Sequence, residues 1–283
     1  MQNRTATRGV VPFENSSNGS VVFTLDLLAN LHGLHPDIQV CGEAYVAVKH
    51  CLLGHAATAP ETSTSSKVEI DGSVKDVAMP GCDLSKIKTV YSHPQAWGQC
   101  KAFLETHLKG VDRQDVSSTS RAAQLVSEDK SGETAALSSK AAAQVFGLDI
   151  LAENINDRKG NTTRFLIIRN SSSDSSSPPP PPTDPPNSTP SPNSYKSLIT
   201  FTPPHSNPGS LAQCLSAFSS QGLNLTSIYT RPSGVQNWHY VFFVELQGRK
   251  EEGEEEGDVN RALGELDRVC RARRWLGSWR SGD

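Results

Sequence analysis

The length, composition and charge of the chain exclude several classes of protein. Its 283 residues are enough for about two domains. The hydrophobic content is 36%, and residues 170–194, a Ser/Pro-rich stretch with half of the 18 prolines, contain no hydrophobic side chain. The sequence therefore predicts two globular parts joined by a linker. The net charge of −3 at pH 7 argues against a general nucleic-acid binder, which would carry a basic face.

The cysteines and the first residues indicate the cellular compartment. The six cysteines form no CxxC pair and no Cys/His cluster, so we expect neither a zinc site nor a disulfide scaffold. No apolar run approaches the roughly 18–20 residues of a membrane helix, and the opening MQNRTATRGV lacks the apolar core of a signal peptide. These features predict a cytoplasmic protein with reduced thiols and no membrane partner.

Residues 1–169 alternate apolar runs with helical stretches, which is typical of an α/β domain with a largely parallel sheet. The predicted strands cover residues 37–48, 86–91 and 163–168. The predicted helices cover residues 23–31, 96–104, 120–127 and 140–146. Residues 56–72 are small and polar, and we interpret them as an inserted surface loop.

The linker at 170–194 favours extended polyproline II geometry, so we interpret it as a semi-rigid spacer, with a ligand for a proline-binding module as the alternative. After it, residues 195–283 have a pattern of their own. Strands are predicted at 197–201, 223–229, 239–246 and 274–279, with helices at 209–219 and 259–271. This βαββαβ order is that of a ferredoxin-like module. The acidic run at 250–258 is interpreted as a solvated loop.

Four short stretches stand out by residue type as candidates for a functional site. They are residues 11–21 (VPFENSSNGSV), 91–99 (YSHPQAWGQ), 161–165 (NTTRF) and 224–232 (NLTSIYTRP). The first reads as a turn whose N–H groups and hydroxyls could face an anion, or as an ordinary capped loop. His93, in the second, could act as an acid or base or be structural. None of the stretches is a P-loop, dinucleotide or nucleophile-elbow motif.

Five segments, in order, resemble the motifs of the prephenate dehydratase family and of its ACT regulatory module. VPFENSSNGSV is similar to the family's V-P-I-E-N-S-x-x-G-S-V, and YSHPQAWGQC to its Y-S-H-P-Q-x-x-x-Q-C. SSTSRAAQLV resembles its S-T-x-x-A-A, and NTTRF its N-x-T-R-F strand. GSLAQCLSAFSSQGLNLTSIYTRPS resembles G-A-L-x-x-A-L…G-I-N-L-T-x-I-E-S-R-P of the ACT module. The resemblance covers nearly the whole chain apart from residues 56–72, the linker and the acidic run.

The resemblance implies conversion of prephenate to phenylpyruvate, in phenylalanine biosynthesis, without a metal or organic cofactor. The family's catalytic threonine is that of T-R-F, which is Thr163 here, and its other catalytic positions fall on Asn15, Ser92 and Gln99. Substrate-binding positions fall on Ser118, Thr119 and Arg164, and for Arg164 a structural ion pair is an equal alternative. Arogenate dehydratase is the closest alternative activity.

For the C-terminal module the resemblance implies phenylalanine as an effector, bound where subunits meet, in a homodimer or homotetramer. The effector positions are Gly209, Ser210, Leu211, Ile228, Tyr229, Thr230, Arg231 and Pro232. Where the family has Glu-Ser, this chain has Tyr229-Thr230, so a possible partner of the ligand's ammonium group is absent. We therefore expect phenylalanine to bind with altered strength.

The implied fold is a two-lobed, periplasmic-binding-protein-like (type II) α/β domain over 1–169 and an ACT domain over 195–283. The family's opening strand and G-P-x-G-T/S-F/Y-S motif do not precede Val11 here, so the first lobe is expected to be N-terminally incomplete. The strand of Thr163 would then lack neighbours and expose an apolar edge and face. On that expectation the chain folds poorly or lacks activity, and a non-catalytic phenylalanine-binding regulator is a further alternative.

Overall fold

The computed structural model describes residues 6–56, 64–70, 73–79, 83–172, 194–251 and 257–282. Most of the predicted linker and the middle of the acidic run lie outside these ranges. The chain divides into two compact units, which we call unit 1 (Met1–Val46 and Thr162–Asp283) and unit 2 (Ala47–Asn161). The proposed domain boundaries at 169 and 195 stay a prediction.

Unit 1 contains two sheets and three helices in its described residues. Its N-terminal elements are β1 (Arg8–Asn15), β2 (Gly19–Ser20), α1 (Val22–Ala29) and β3 (Ile38–Ala47). Its later elements are β11 (Thr162–Asn170), β12 (Tyr195–Thr202), α6 (Ser210–Ser219), β13 (Leu225–Pro232), β14 (Tyr240–Gln247), α7 (Asp258–Val269) and β15 (Ala272–Arg280).

The first sheet of unit 1 corrects the expectation for the strand of Thr163. Its strand order is β2-β1-β11-β3, so β11 has a neighbour on each side. The β1–β11 pair is antiparallel and places Asn15 opposite Thr163. The prediction of an unpaired, exposed strand is wrong because β1 and β3 satisfy both of its edges, as buried strands require.

The C-terminal elements of unit 1 confirm the predicted βαββαβ order. The sheet order β13-β14-β12-β15 and the antiparallel pairs of β14 with β12 and β13, and of β12 with β15, are those of a ferredoxin-like fold. Helices α6 and α7 pack through buried Cys214, Phe218, Leu263 and Leu266 with β12 and β14. Gly209 precedes α6 with φ of 77°, a left-handed conformation that glycine adopts at no steric cost.

The two sheets of unit 1 share one apolar core. That core combines Phe13 and Leu166 of the first sheet with Phe243 and Trp279 of the ferredoxin-like sheet, each at most 3% exposed. At Gly277, φ is 137° and a Cβ atom would lie 2.0 Å from the carbonyl oxygen of Val40, so glycine permits the close approach of β15 to β3. The apolar face that was expected to be exposed is thereby covered.

Unit 2 is built on a five-stranded mixed sheet. The strands of this sheet are β4 (His50–Gly54), β7 (Thr89–Ser92), β8 (Asp112–Asp115), β9 (Thr134–Ser139) and β10 (Asp149–Ala152). A separate two-stranded sheet consists of β5 (Thr64–Ile70) and β6 (Ser73–Met79). Its helices are α2 (Pro94–Trp97), α3 (Lys101–His107), α4 (Thr119–Glu128) and α5 (Lys140–Phe146), with a 3-10 turn at Leu84–Lys86.

The expectation of a largely parallel sheet is wrong. The order is β10-β4-β9-β7-β8, with β7 parallel to β8 and β9 but β4 antiparallel to β9 and β10. Helical connections precede β8, β9 and β10, as parallel strands require. Strand β4 precedes the other strands of this sheet in the chain. It lies between β9 and β10 and runs antiparallel to both.

Two further expectations for unit 2 are corrected. Residues 56–72 are not simply a loop, because β5 pairs with β6 in an antiparallel hairpin that buries Val68 and Val77 in the core. The predicted helix at 96–104 is two helices, α2 and α3. The second begins at Lys101, where the Asp157 carboxylate accepts from the N–H groups of Lys101 and Ala102 and so caps a new helix end.

Candidate active site

Thr163 and Asn15 form a hydrogen-bonded pair in unit 1. The side-chain amide of Asn15 donates to Thr163 Oγ1 over 3.0 Å and to the carbonyl of Thr162 over 3.4 Å. Because Oγ1 accepts this bond, the hydroxyl proton of Thr163 is left to donate elsewhere. Both side chains are half-buried. The pair can therefore present an oriented O–H donor to a ligand.

The backbone around Asn15 holds its amide in place. Asn15 Oδ1 accepts from the backbone N–H groups of Ser17 and Asn18, each at 3.0 Å, which closes a turn at the end of β1. Ser16 N donates to the Thr162 carbonyl, and Thr162 N donates to Ser16 Oγ, both over 2.9 Å. The first motif is not a turn throughout, because residues 11–15 belong to β1, residues 16–18 form the turn and β2 follows at Gly19–Ser20.

Arg164 is held in a buried network of charges in unit 1. Its guanidinium donates to Glu43 over 2.8 Å and to Glu245 over 2.5 Å. Lys196 lies 3.3 Å from the second oxygen of Glu43, and Thr226 donates to Glu245 over 2.8 Å. The structure thus gives Arg164 the structural ion pair rather than a guanidinium open to substrate. Since alternate residues of a strand face opposite sides, Thr163 points away from this network.

Burial and charge act in opposite directions on the pKa values in this network. Burial acts to lower the pKa of Arg164, but the carboxylates of Glu245 and Glu43 raise it overall. Burial acts to raise the pKa of Glu43, but the N–H of Gly282 and the cations Arg164 and Lys196 lower it overall. Arg164 and Glu43 are therefore both charged at neutral pH.

In unit 2, Ser92 is the last residue of β7 and Gln99 lies in the turn between α2 and α3. The hydroxyl of Ser92 is 0% exposed and donates to the carbonyl of Leu137 over 3.0 Å, which ties β7 to β9. The side-chain oxygen of Gln99 lies 2.7 Å from His50 Nε2. Burial lowers the pKa of His50, more than the Gln99 contact raises it, so the imidazole is neutral at neutral pH.

Ser118 and Thr119 begin helix α4 in unit 2. Ser118 is the N-cap residue, and its hydroxyl accepts from the N–H of Arg121 over 3.0 Å. Thr119 is the first helical residue. The N–H groups at a helix start favour a negative charge, so this end of α4 could meet a carboxylate.

The predicted effector residues divide between the two faces of β13 and the start of α6. Ile228, Thr230 and Pro232 are exposed, whereas the Tyr229 hydroxyl donates to Glu14 over 2.7 Å and Arg231 forms an ion pair with Asp26 at 2.5 Å. Burial raises the pKa of Tyr229.

At the start of α6, Gly209 precedes the helix and Leu211 packs against the module's core. Between them, the Ser210 hydroxyl donates to the carbonyl of Pro204 over 2.7 Å. This bond holds the loop before α6 against the helix start.

The described ranges contain no group of three or more His, Cys, Asp or Glu side chains that could hold a metal ion. In the same residues, none of the helices has the length and apolarity that crossing a bilayer takes.

The sequence motifs do not mark His50, Glu43, Glu245 or Lys196. The signal available for three of them was a charged residue within an otherwise apolar strand, and for His50 a polar residue opening the apolar run HCLLG.

Together these elements define a periplasmic-binding-protein-like α/β fold with a ferredoxin-like module. The family model named prephenate dehydratase matches residues 1–173. A prephenate dehydratase of Methanocaldococcus jannaschii is 34% identical over 247 residues, which are 87% of this chain and 74% of that protein. The chain belongs to the prephenate dehydratase family.

Two further comparisons add a relative that is named for two dehydratase activities and a solved structure. An arogenate dehydratase/prephenate dehydratase of Arabidopsis thaliana is 32% identical, and the match covers 96% of this chain but 60% of that protein. The crystal structure of a prephenate dehydratase from Arthrobacter aurescens in complex with L-Phe is 30% identical. It superposes with a TM-score of 0.71 over 98% of this chain and 76% of that one. The fold class is therefore that of solved prephenate dehydratases.

Proposed function

We propose that this chain is a carbon–oxygen lyase that converts prephenate to phenylpyruvate, water and CO2, in phenylalanine biosynthesis. The observation that carries the proposal is the hydrogen bond from Asn15 to Thr163 Oγ1, at 3.0 Å, between two family motifs. The bond leaves an oriented hydroxyl on a strand whose edges are both paired. Family membership supports the reaction.

The reaction needs no covalent bond between the protein and the substrate. The bond from the ring to its carboxylate breaks, and that electron pair enters the ring as CO2 leaves. The C–O bond to the ring hydroxyl breaks at the other end, and the departing oxygen takes up one proton to become water. Formation of the aromatic ring drives the reaction, so orientation and preorganised donors are the protein's contribution.

In this proposal Thr163 donates its hydroxyl hydrogen bond to the departing oxygen. A threonine hydroxyl is too weak an acid to protonate the departing oxygen alone, so it acts as a donor that relays a proton from solvent to that oxygen. Asn15 orients that hydroxyl, Gln99 is a further polar donor, and the start of α4 at Ser118 and Thr119 receives a substrate carboxylate. Ser92 supports the site by joining β7 to β9, because its hydroxyl proton is donated to the carbonyl of Leu137. In this proposal Arg164 is not among the residues that bind substrate, because its guanidinium pairs with Glu43 and Glu245.

Replacing Thr163 tests this assignment. Thr163→Ala is expected to lower kcat for prephenate by roughly 100-fold or more, because it removes the donor to the leaving oxygen. Thr163→Ser keeps a hydroxyl at the same position and is expected to retain most of the activity. Equal rates for the wild type and Thr163→Ala would refute the role of Thr163, and an inactive wild type would refute the function.

Arogenate dehydratase activity is the second candidate, and the arogenate/prephenate dehydratase relative favours keeping it. Arogenate is the amino analogue of prephenate and loses the same groups. Parallel measurement of kcat/KM on both substrates decides between them. A chain that binds phenylalanine but turns over neither would instead be a regulator.

We propose phenylalanine as the effector of the ferredoxin-like module. The supporting observations are the exposed face of β13 at Ile228 and Thr230, and the Phe-bound structure of the Arthrobacter aurescens protein. Calorimetric titration of the full chain with L-phenylalanine is expected to give saturable heat. No heat at millimolar ligand would contradict the proposal.

Assembly and location complete the proposal. We expect a homodimer or homotetramer formed through the ferredoxin-like module, in the cytoplasm. Light scattering on the purified chain measures the oligomeric state, and the mass of a single subunit across micromolar concentrations would contradict an oligomer. Cell fractionation measures the location.

A further inference from the structure

His50 and Gln99 form a close polar pair in unit 2. His50 Nε2 lies 2.7 Å from Gln99 Oε1, a distance typical of a strong hydrogen bond. The imidazole is buried, with 7% of the residue exposed, and Gln99 is half-buried. A buried histidine ring that meets a neutral amide has a partner that fixes its orientation.

One short segment holds the backbones of both residues. The His50 N–H donates to Asn156 Oδ1 over 2.6 Å, and the His50 carbonyl accepts from Ile155 N over 3.1 Å. The Gln99 carbonyl accepts from Asp157 N over 2.7 Å. Residues 155–157 therefore hold the backbones of His50 and Gln99 at a fixed separation, which places the two side chains within reach of each other.

The chemistry of the contact sets which atoms of Gln99 remain for a ligand. A neutral imidazole carries one proton, and a carbonyl oxygen can only accept, so Nε2 is the protonated nitrogen. With Oε1 occupied, the side chain offers its NH2 group. In the opposite arrangement that NH2 would donate to an unprotonated Nε2, and the oxygen would face the ligand instead.

We propose that His50 is a positioning residue that locks the side-chain amide of Gln99 with its NH2 group as the donor to the substrate. This inference rests on the proposed function, since it assigns Gln99 to a substrate rich in oxygen acceptors. Prephenate offers carboxylates, a keto oxygen and a hydroxyl. If the amide were turned the other way, Gln99 Oε1 would face an acceptor oxygen of the substrate and could not bond it.

The tautomer of His50 tests the pair without any activity measurement. In the full-length chain labelled with 15N-histidine, two-bond 1H–15N correlation spectra at pH 7.5 assign the protonated ring nitrogen. His50→Gln identifies the His50 signals by their loss. We expect the Nε2–H tautomer, and an Nδ1–H tautomer or an imidazolium would overturn the proposal.

A double-mutant cycle tests the positioning role itself. Gln99→Ala is expected to lower kcat/KM for prephenate roughly 100-fold, as loss of one preorganised donor does. His50→Leu is expected to lower it about tenfold in the wild type but by less than about twofold in the Gln99→Ala background. His50→Gln, which supplies an amide donor near the position of Nε2, is expected to restore part of the loss.

His55 provides the matched control, because its Nε2 contacts the carbonyl of Val126 rather than a side chain of the proposed site. His55→Leu is expected to leave kcat/KM unchanged. Equal losses for His50→Leu in both backgrounds would show that His50 acts through general stability and would overturn the proposal. A wild type inactive on prephenate and arogenate would refute the function, while the tautomer would still report on the pair.

Discussion

The two units support a candidate catalytic side chain in different ways. In unit 1, Asn15 orients Thr163 and the next residue, Arg164, is anchored in a buried network of two carboxylates and two cations. In unit 2, the pair of Gln99 and His50 is neutral. Both candidate side chains are thus oriented by a neutral hydrogen bond, but in unit 1 the strand that carries Thr163 is also anchored by buried charges at Arg164, whereas in unit 2 the partner of Gln99 is a neutral ring.

The two kinds of support fail differently. A buried ion pair adds little stability relative to an apolar replacement, but removal of one partner leaves an uncompensated charge. Removing one partner of a neutral hydrogen-bonded pair lowers the free energy of unfolding by less, because no charge is left without a partner. Unit 1 should therefore be sensitive to single changes in its charges, and unit 2 to changes that protonate or reorient His50.

The largest expected effect is the loss of Arg164. Arg164→Met keeps the volume of the side chain but leaves Glu43 and Glu245 without the guanidinium, and we expect a loss of about 3–5 kcal/mol in the free energy of unfolding. Urea denaturation at pH 7.5, followed by tryptophan fluorescence, measures it.

The matched control lies in unit 2, where Lys140 pairs with Glu153 at 2.6 Å but with 62% of the lysine side chain exposed. Lys140→Met is expected to cost only a small fraction of the loss at Arg164, because exposed ion pairs are screened by water. Similar losses for the two variants would remove the contrast between the units.

The next effect is on turnover rather than on stability. Asn15→Ala removes the donor to Thr163 Oγ1, and we expect kcat/KM for prephenate to fall roughly 10- to 100-fold. Asn18→Ala is the control, because Asn18 joins the same turn through its backbone N–H and its side chain is exposed. An effect of Asn15→Ala that persists in full in a Thr163→Ala background would show that Asn15 does not act through Thr163.

Much of the ferredoxin-like module could be predicted from sequence, because each strand and helix has a clear period and the connections are short. The sequence does not predict the pairing of β5 with β6, although Asp71-Gly72 is a dipeptide that favours hairpins, because small polar residues around it obscure the alternation. The insertion of β4 between β9 and β10 is a pairing across distant parts of the chain, which local patterns do not encode.

The candidate site shows the same limit. The motifs located Thr163, Asn15 and Gln99, but not their partners. Glu43 and Glu245 lie 121 and 81 residues from Arg164, and His50 lies 49 residues from Gln99. A motif marks a polar residue as notable, whereas only the fold shows which charge or ring meets it.

The smallest expected effect separates the units by pH. The pKa of folded His50 is lowered from an ordinary value of 6.5, so the unfolded chain binds more protons below that pH and stability falls as the pH drops from about 7.5 to 5.5. The pKa of Glu43 is lowered from 4.5, so its contribution is present above that pH and is lost only as the pH falls below it. Denaturation at pH 7.5, 5.5 and 3.5 measures both windows.

His50→Gln is expected to reduce the loss between pH 7.5 and 5.5 and to leave the loss between 5.5 and 3.5 unchanged. Glu43→Gln is expected to do the reverse, although it lowers stability throughout by weakening the network of Arg164. If His50→Gln left the loss of stability unchanged in both pH ranges, burial would not be what keeps the imidazole neutral. The contrast between the charged network of unit 1 and the neutral pair of unit 2 would then fail, because it depends on His50.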